Sequence, residues 1–226
     1  MRTVISIRWN LPIRQGSCRR DDPRWHKSRL DLFGRYCAPS LLRQTVGDWE
    51  VRLYCAAALP EQNEALAKVL PDARFQVVPM AVGEHPIITD ALVIRLDSDD
   101  MLHPEAIAVF REAAASADPK IWWLQPKHGY AYAVREQTLY RWRHPVPAVF
   151  AAVVRPGRKQ MLPHMGHHAR LPAAASIRLE RDDLYCISLH ETNVCNCVKA
   201  CYVGPMLPTD SQDDIAAQFG LTLKKE

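Results

Sequence analysis

The chain has 226 residues, a length that accommodates one large domain with a substantial hydrophobic core. Its formal charge of +4 comes from scattered Lys and Arg residues without a long basic run, which argues against a nucleic-acid partner. No apolar run approaches the roughly 18 residues that a membrane-spanning helix needs, although peripheral membrane contact stays open. An odd number of cysteines, seven, and an N-terminus unlike a leader predict free thiols in a cytoplasmic protein.

The first 115 residues alternate β-rich and helical patterns. A strand over residues 3–7 opens the chain, and Asp22 followed by Pro23 starts the first helix. Pro39 is expected to interrupt this helix, with a further helical turn over residues 40–44. Further strands are predicted over residues 49–56, 75–80 and 91–96, and further helices over residues 60–70 and 103–115. This alternation predicts an α/β fold, a three-layer α/β/α sandwich with a mostly parallel central sheet.

The second half has a different pattern. Short strands are predicted on both sides of a turn at His128 and Gly129, and two more over residues 146–154 and 183–190. A stretch rich in Pro, His and Gly, residues 155–175, is predicted to be a loop. We expect one domain over residues 1–226, divided into halves 1–115 and 116–205 and a C-terminal tail, 206–226, with a short helix and a frayed end.

Three aspartates follow the apolar strand over residues 91–96. Asp97 and Asp99 would project to the same side of an extended segment, and Asp100 could support them. This position is the carboxyl end of a strand, where open parallel sheets bind ligands. Three neighbouring carboxylates raise one another's pKa unless a cation compensates, and Mg²⁺ or Mn²⁺ with diphosphate oxygens would do so. The alternative is that Asp99 or Asp100 only caps the next helix.

The segment RLDSDDMLHPEAIAVF, residues 95–110, resembles the acidic segment of nucleotide-sugar glycosyltransferases with the glycosyltransferase-A fold. A closer resemblance is to the rhamnosyltransferase group, which is similar to family 2. It is carried by RWN (residues 8–10), RLDLFGRYCAPSLLRQT (29–45), RLDSDD (95–100) and a late His-x-x-Asn, here HETN (190–193). The resemblance implies a metal-dependent enzyme that transfers a sugar from a nucleotide-diphosphate sugar to a saccharide or other hydroxyl acceptor in surface polysaccharide synthesis.

The resemblance also implies roles for particular residues. Asp99 would be the direct metal ligand, and Asp97 would approach the ribose or the metal. His190, at the end of a strand, would be a third metal ligand or else a structural histidine. Arg95 would touch a phosphate or be an ordinary strand-end charge. The RWN motif adds two further candidates for contact with the donor, Arg8 and Asn10. Residues 1–115 would then be the nucleotide-sugar and metal-binding half, and residues 116–205 the acceptor side.

Inverting transfer needs a general base near the acceptor hydroxyl, and the two leading candidates are Glu191 and Asp183, which flank the last strand. Two departures from the family pattern stand out. The second strand ends at Tyr54 and Cys55 without the usual acid, and Glu191 replaces a glycine. These two departures leave open the alternative that the chain is a catalytically inactive module that binds carbohydrate or nucleotide. A nucleotidyltransferase or phosphohydrolase would need a glycine-rich loop near the first strand, where only Gly16 occurs.

Overall fold

The computed structural model describes residues 1–11, 21–81, 84, 87–145, 148–156, 160–161, 171–191 and 203–224. Within these ranges the helices are α1 (Pro23–Leu32), α2 (Ala38–Leu42), α3 (Pro60–Lys68), α4 (Ala106–Ser116) and α5 (Thr209–Phe219). The strands are β1 (Arg2–Arg8), β2 (Trp49–Ala56), β3 (Phe75–Met80), β4 (Ile87–Ile88), β5 (Ala91–Leu96), β6 (Met101–Leu102), β7 (Trp123–Pro126), β8 (Gly129–Ala133), β9 (Thr138–Trp142), β10 (Phe150–Val154), β11 (Gln160–Met161), β12 (Ser176–Leu179), β13 (Tyr185–Leu189) and β14 (Val203–Met206).

The main sheet has seven strands in the order β12-β7-β10-β5-β1-β2-β3. Strand β1 pairs in parallel with both β2 and β5, and β2 pairs in parallel with β3. Strand β10 runs antiparallel between β5 and β7, and β12 is parallel to β7. The prediction of an α/β fold with a mostly parallel sheet is confirmed, and β1, β2, β3 and β5 lie where the sequence placed them.

Alternating residues of the parallel strands enter two hydrophobic clusters. Ile5 and Leu53 belong to the larger cluster, which also contains Leu41 of α2 and Phe110 of α4. Val4 and its neighbour across the sheet, Val93, belong to a smaller cluster. Because successive side chains of a strand point to opposite faces, the two clusters lie on opposite faces of the sheet. Full burial of each large apolar side chain contributes about 1.5–3 kcal/mol, so both faces hold the sheet in place.

The first helix begins as predicted, but it does not stop at Pro39. Asp22 accepts a hydrogen bond from the backbone N–H of Arg24 at 2.8 Å and so caps α1. Residues Phe33–Cys37 then form a π-helical turn that continues into α2. A proline inside a regular α-helix lacks one N–H and clashes with the preceding turn, and the wider π turn before Pro39 lets the chain stay helical. The predicted interruption of the helix at Pro39 is therefore wrong.

A second sheet has the order β14-β9-β8-β13-β6. Strands β8 and β9 form an antiparallel hairpin, and β13 lies between β8 and β6. Strands β7 and β8 belong to different sheets, so the chain crosses from one sheet to the other at the turn predicted at His128 and Gly129. Within the second sheet, β13 runs antiparallel to β6 and towards the turn that follows β5. His190 directly follows the last residue of β13.

The C-terminal segment is ordered by packing. Helix α5 buries Phe219 against the second sheet and ends at Gly220, whose φ of 65° gives the left-handed conformation of a helix C-terminus. Beyond the helix, the Tyr132 hydroxyl donates to the carbonyl of Thr222 at 2.7 Å. A frayed tail was expected here, and that expectation is wrong as far as residue 224. No helix in the described ranges is long and apolar enough to cross a bilayer.

Gly129 lies against β13 so closely that any side chain would collide with it. A Cβ at this position would be 2.7 Å from both Cζ and the carbonyl oxygen of Tyr185. We expect Gly129→Ala to lower the free energy of unfolding by about 1–3 kcal/mol, because backbone must shift to make room. Gly34→Ala is the matched control, since its Cβ would meet nothing within 4 Å. Urea denaturation of both variants checks this, and equal stabilities would contradict the close contact.

Candidate active site

The residues after β5 form a turn, which separates the three carboxylates. The backbone N–H of Asp100 donates to the carbonyl of Asp97 at 3.2 Å. The side chain of Asp97 is 36% exposed, whereas that of Asp99 is only 7% exposed. The expected extended segment, with Asp97 and Asp99 on the same side, is therefore not what the chain adopts. Each aspartate has its own partners.

Asp99 is held by two donors. Its Oδ2 atom lies 2.5 Å from Nη1 of Arg29 and 2.8 Å from Nε2 of His190. Burial alone would raise the pKa of Asp99, but the His190 hydrogen bond and the Arg29 charge outweigh burial and lower the pKa below its ordinary value. The structure thus brings together two of the three residues predicted as metal ligands, Asp99 and His190, and keeps the Asp99 carboxylate ionised. The third, Asp97, pairs with Arg95 instead.

Arg29 is the site residue that the sequence interpretation missed. It lies on α1, and its guanidinium carbon is 5.2 Å from the centroid of the Trp25 ring. A signal was present, because residue 29 is four positions from both Trp25 and Phe33 and therefore shares their apolar helix face. A charged residue at such a position needs a buried partner. The partner could not be named from the sequence, since Asp99 lies far along the chain.

Asp97 is paired with a second arginine. Both of its carboxylate oxygens accept from Nη2 of Arg95, each at 2.9 Å. Arg95 also donates to the carbonyl of Ala148, which fixes the guanidinium at the end of β5. Burial lowers the pKa of Arg8, with Asp97 opposing and Arg95 adding to that effect, so Arg8 lies close enough to feel both charges. Three of the predicted donor-binding residues thus lie together.

Asp100 connects the turn to β13. Its Oδ1 atom accepts from the backbone N–H of Ser188 at 3.0 Å, two residues before His190. Burial and the neighbouring charges of Asp99 and Asp97 raise the pKa of Asp100 well above its ordinary value. Asp100 is therefore a supporting residue, and its hydrogen bond to β13 positions His190 beside Asp99.

Asn10 lies at the ends of β1 and β2, with its side chain engaged on both polar atoms. Its Oδ1 accepts from the backbone N–H of Ala56 at 2.7 Å, and its Nδ2 donates to Gln62 at 3.0 Å. Near it, Tyr54 and Cys55 are almost fully buried, and burial raises the pKa of the Cys55 thiol to about 12. This strand end offers no carboxylate, as the sequence indicated.

The two candidate general bases have different surroundings. Asp183 forms a paired contact with Arg181, at 2.7 and 3.2 Å, and lies 3.9 Å from Nε2 of His103. Burial would raise the pKa of Asp183, but Arg181 outweighs it and the pKa is lowered. Glu191 is 86% exposed and 3.8 Å from Arg135. Asn193 and the histidines at positions 164, 167 and 168, which fall in a stretch predicted to be a loop, lie outside the described residues.

The donor set fits a cation shared with substrate. In the described part of the chain, no group of three or more His, Cys, Asp and Glu side chains could hold a metal ion. Asp99 and His190 supply one carboxylate and one imidazole within hydrogen-bonding distance. Mg²⁺ is commonly bound by one or two carboxylates together with substrate phosphates. The pair therefore suits a metal–diphosphate site and not an all-protein cage.

Asp99, which is buried and paired with Arg29, lies just beyond the carboxyl end of β5, and ligands of open α/β sheets bind at the carboxyl ends of the strands. The model of the family described as "Putative rhamnosyl transferase" matches residues 17–200, and the chain belongs to this family of glycosyltransferases. No curated protein matches the chain. Among solved structures, S. aureus TarS is similar at 16% identity and a TM-score of 0.30, over 59% of this chain and 22% of that chain. The family assignment rests on the match over residues 17–200 alone.

Proposed function

We propose that the protein transfers a sugar from a nucleotide-diphosphate sugar to a hydroxyl of a saccharide acceptor. The observation that carries this proposal is the buried pair of Asp99 and His190 at the carboxyl end of β5, 2.8 Å apart. Ligands of parallel α/β sheets bind at this edge. The setting of the reaction would be surface polysaccharide synthesis at the cytoplasmic face, as the family resemblance implies, with rhamnose as the first donor sugar to test.

The charges of the site suit a diphosphate. Three arginines, Arg8, Arg29 and Arg95, lie near the aspartates. Arginine recognises phosphate oxygens through paired hydrogen bonds, so these three guanidinium groups support binding of a diphosphate. Arg95 and Arg8 are the residues that we assign to the donor phosphates.

Asp99 and His190 would hold Mn²⁺ or Mg²⁺, with Asp97 near the ribose or the same ion. Such an ion supplies electrophilic stabilisation of the charge that builds on the leaving diphosphate. The chain's own contribution is to hold the two ligands in place: Asp100 fixes β13, and the turn after β5 presents Asp99 to His190. Arg95 and Arg8 keep the donor phosphates beside these ligands.

Glu191 is the residue that we assign as general base. It follows His190 directly, and its exposed carboxylate is 3.8 Å from Nη1 of Arg135. A general base must reach the acceptor hydroxyl and be able to take its proton. Asp183 is less suited, because the paired contact with Arg181 already uses both of its oxygens and lowers its pKa.

A second candidate function is a binding module without transfer activity. Strand β2 carries buried Tyr54 and Cys55 just before its last residue, where related enzymes carry an acid for the nucleotide base. Asn10 accepts a hydrogen bond from the backbone of Ala56 at this strand end. A weakened base site is compatible with a domain that binds a nucleotide sugar but does not turn it over. The two candidates differ in turnover and not in binding.

A panel of nucleotide-diphosphate sugars, each assayed for release of the nucleotide with and without added saccharide, tests the proposal. We expect turnover of at least one donor with Mn²⁺, and a fall of about 10²-fold or more after EDTA treatment, because charge on the leaving group is then uncompensated. Restoring Mn²⁺ should restore the rate. Binding of a donor without turnover would favour the module, and absence of binding at millimolar donor would overturn both.

A further inference from the structure

The ion pair between Arg29 and Asp99 is almost fully buried. The side chains are 10% and 7% exposed, and Nη1 of Arg29 is 2.5 Å from Oδ2 of Asp99. A buried charge without a partner is strongly destabilising, so each group requires the other or a substitute. Trp25 packs against the guanidinium, with 5.2 Å between the Arg29 carbon and the ring centroid, and orients it on α1.

The same carboxylate oxygen is also the atom that contacts His190. The proposed metal site uses Asp99 and His190, so a divalent ion there would meet the Arg29 guanidinium at a carboxylate oxygen that it already occupies. Two cations at one oxygen repel each other, and the repulsion is large where water is largely excluded. Binding of the ion at this oxygen is therefore opposed as long as Arg29 stays on Asp99.

We propose that Arg29 is an exchangeable counter-ion, which neutralises Asp99 in the absence of metal and moves to the donor diphosphate when a divalent ion takes the carboxylate. This inference rests on the proposed function. A guanidinium matches phosphate oxygens as well as it matches a carboxylate, so the exchange replaces one charge-assisted contact by another. Metal alone would then bind weakly and metal with diphosphate tightly, and the coupling would be reciprocal.

The experiment measures Mn²⁺ binding by electron paramagnetic resonance of the free ion, with and without inorganic pyrophosphate. Without pyrophosphate, Arg29→Gln should bind Mn²⁺ about tenfold tighter than wild type, because no cation competes for Asp99. Pyrophosphate should strengthen Mn²⁺ binding more in wild type than in the variant, since only wild type offers the displaced guanidinium a new partner. Formation of manganese pyrophosphate in solution is common to both proteins and cancels in the comparison.

Arg24→Gln is the matched control, since Arg24 is an exposed arginine on the same helix, and it should bind Mn²⁺ as wild type does. Arg29→Lys keeps the charge and serves if Arg29→Gln does not fold. Because lysine lacks the paired donors of arginine, Arg29→Lys should lose most of the strengthening by pyrophosphate. Strengthening equal to wild type in Arg29→Lys would overturn the exchange.

Asp99→Asn separates this inference from the function on which it rests. If Asp99→Asn abolishes Mn²⁺ binding while Arg29→Gln binds Mn²⁺ no more tightly than wild type, the exchange is overturned and the metal site stands. If Asp99→Asn binds Mn²⁺ as wild type does, the metal site itself is wrong, and the exchange falls with it. Loss of binding in Asp99→Asn together with tighter binding in Arg29→Gln supports both.

Discussion

Asp99→Asn is expected to lower kcat/KM for sugar transfer by about two to three orders of magnitude, with correct folding verified independently. The substitution removes the negative charge that Arg29 and His190 share, at 2.5 and 2.8 Å from one oxygen. An amide neither neutralises a divalent ion nor pairs with a guanidinium as a carboxylate does. The measurement is steady-state turnover of the donor identified in the panel, at saturating Mn²⁺.

Loss of stability must be separated from loss of catalysis in this variant. Leaving Arg29 buried without a counter-charge costs about 3–5 kcal/mol of unfolding free energy. The double variant Arg29→Gln with Asp99→Asn removes both charges, so it should recover most of the stability and none of the activity. Wild-type turnover in a folded Asp99→Asn protein would show that this carboxylate has no part in the reaction.

The fold of the first half was predictable because its strands carry local signals. Strand β5 is apolar except for Arg95 and is followed at once by charge, and β2 and β3 begin and end at the residues that their patterns indicated. Pro39 was misjudged because the signal of a proline is local, whereas the π turn at Phe33–Cys37 is held by packing of Phe33 and Leu41 into the core. Sheet membership of β7 and β8 likewise depends on long-range pairing.

The candidate site could likewise be predicted from the sequence only in part. His190 was a candidate partner of the Asp99 site because it follows a predicted strand, and the structure places the two side chains in contact although β5 and β13 belong to different sheets. Separate partners for Asp97 and Asp99 could not follow from the sequence, since they depend on a turn within residues 97–100. Arg29 was missed because a buried ion pair is defined by two distant positions and not by a motif.

Asp100→Asn is expected to change the dependence of stability on pH, in the opposite sense to most aspartates. Burial, with the charges of Asp99 and Asp97, raises the pKa of Asp100 in the folded state well above its ordinary value. Between the unfolded and folded pKa values the folded protein holds a proton that the unfolded chain releases. The contribution of Asp100 to stability is therefore present below the unfolded pKa and is lost as pH rises towards the folded pKa.

An asparagine at position 100 resembles the protonated acid and can accept the same hydrogen bond from Ser188. It removes the proton linkage, which is worth about 1.4 kcal/mol per pH unit across the window between the two pKa values. We expect Asp100→Asn to match wild type near pH 3.5 and to become progressively more stable than wild type as pH rises. Urea denaturation from pH 3.5 to 8 measures this difference.

The same variant is the control for Asp99→Asn, because it makes an identical change at the next residue, which is equally buried. Asp100→Asn keeps the turn, the contact with β13 and hence the position of His190, so turnover should stay within about threefold of wild type, a difference of under 1 kcal/mol. A stability difference that is constant with pH would show that Asp100 is ionised in the folded protein. Asp100 would then be a third negative charge of the site, and its assignment as a supporting residue would be wrong.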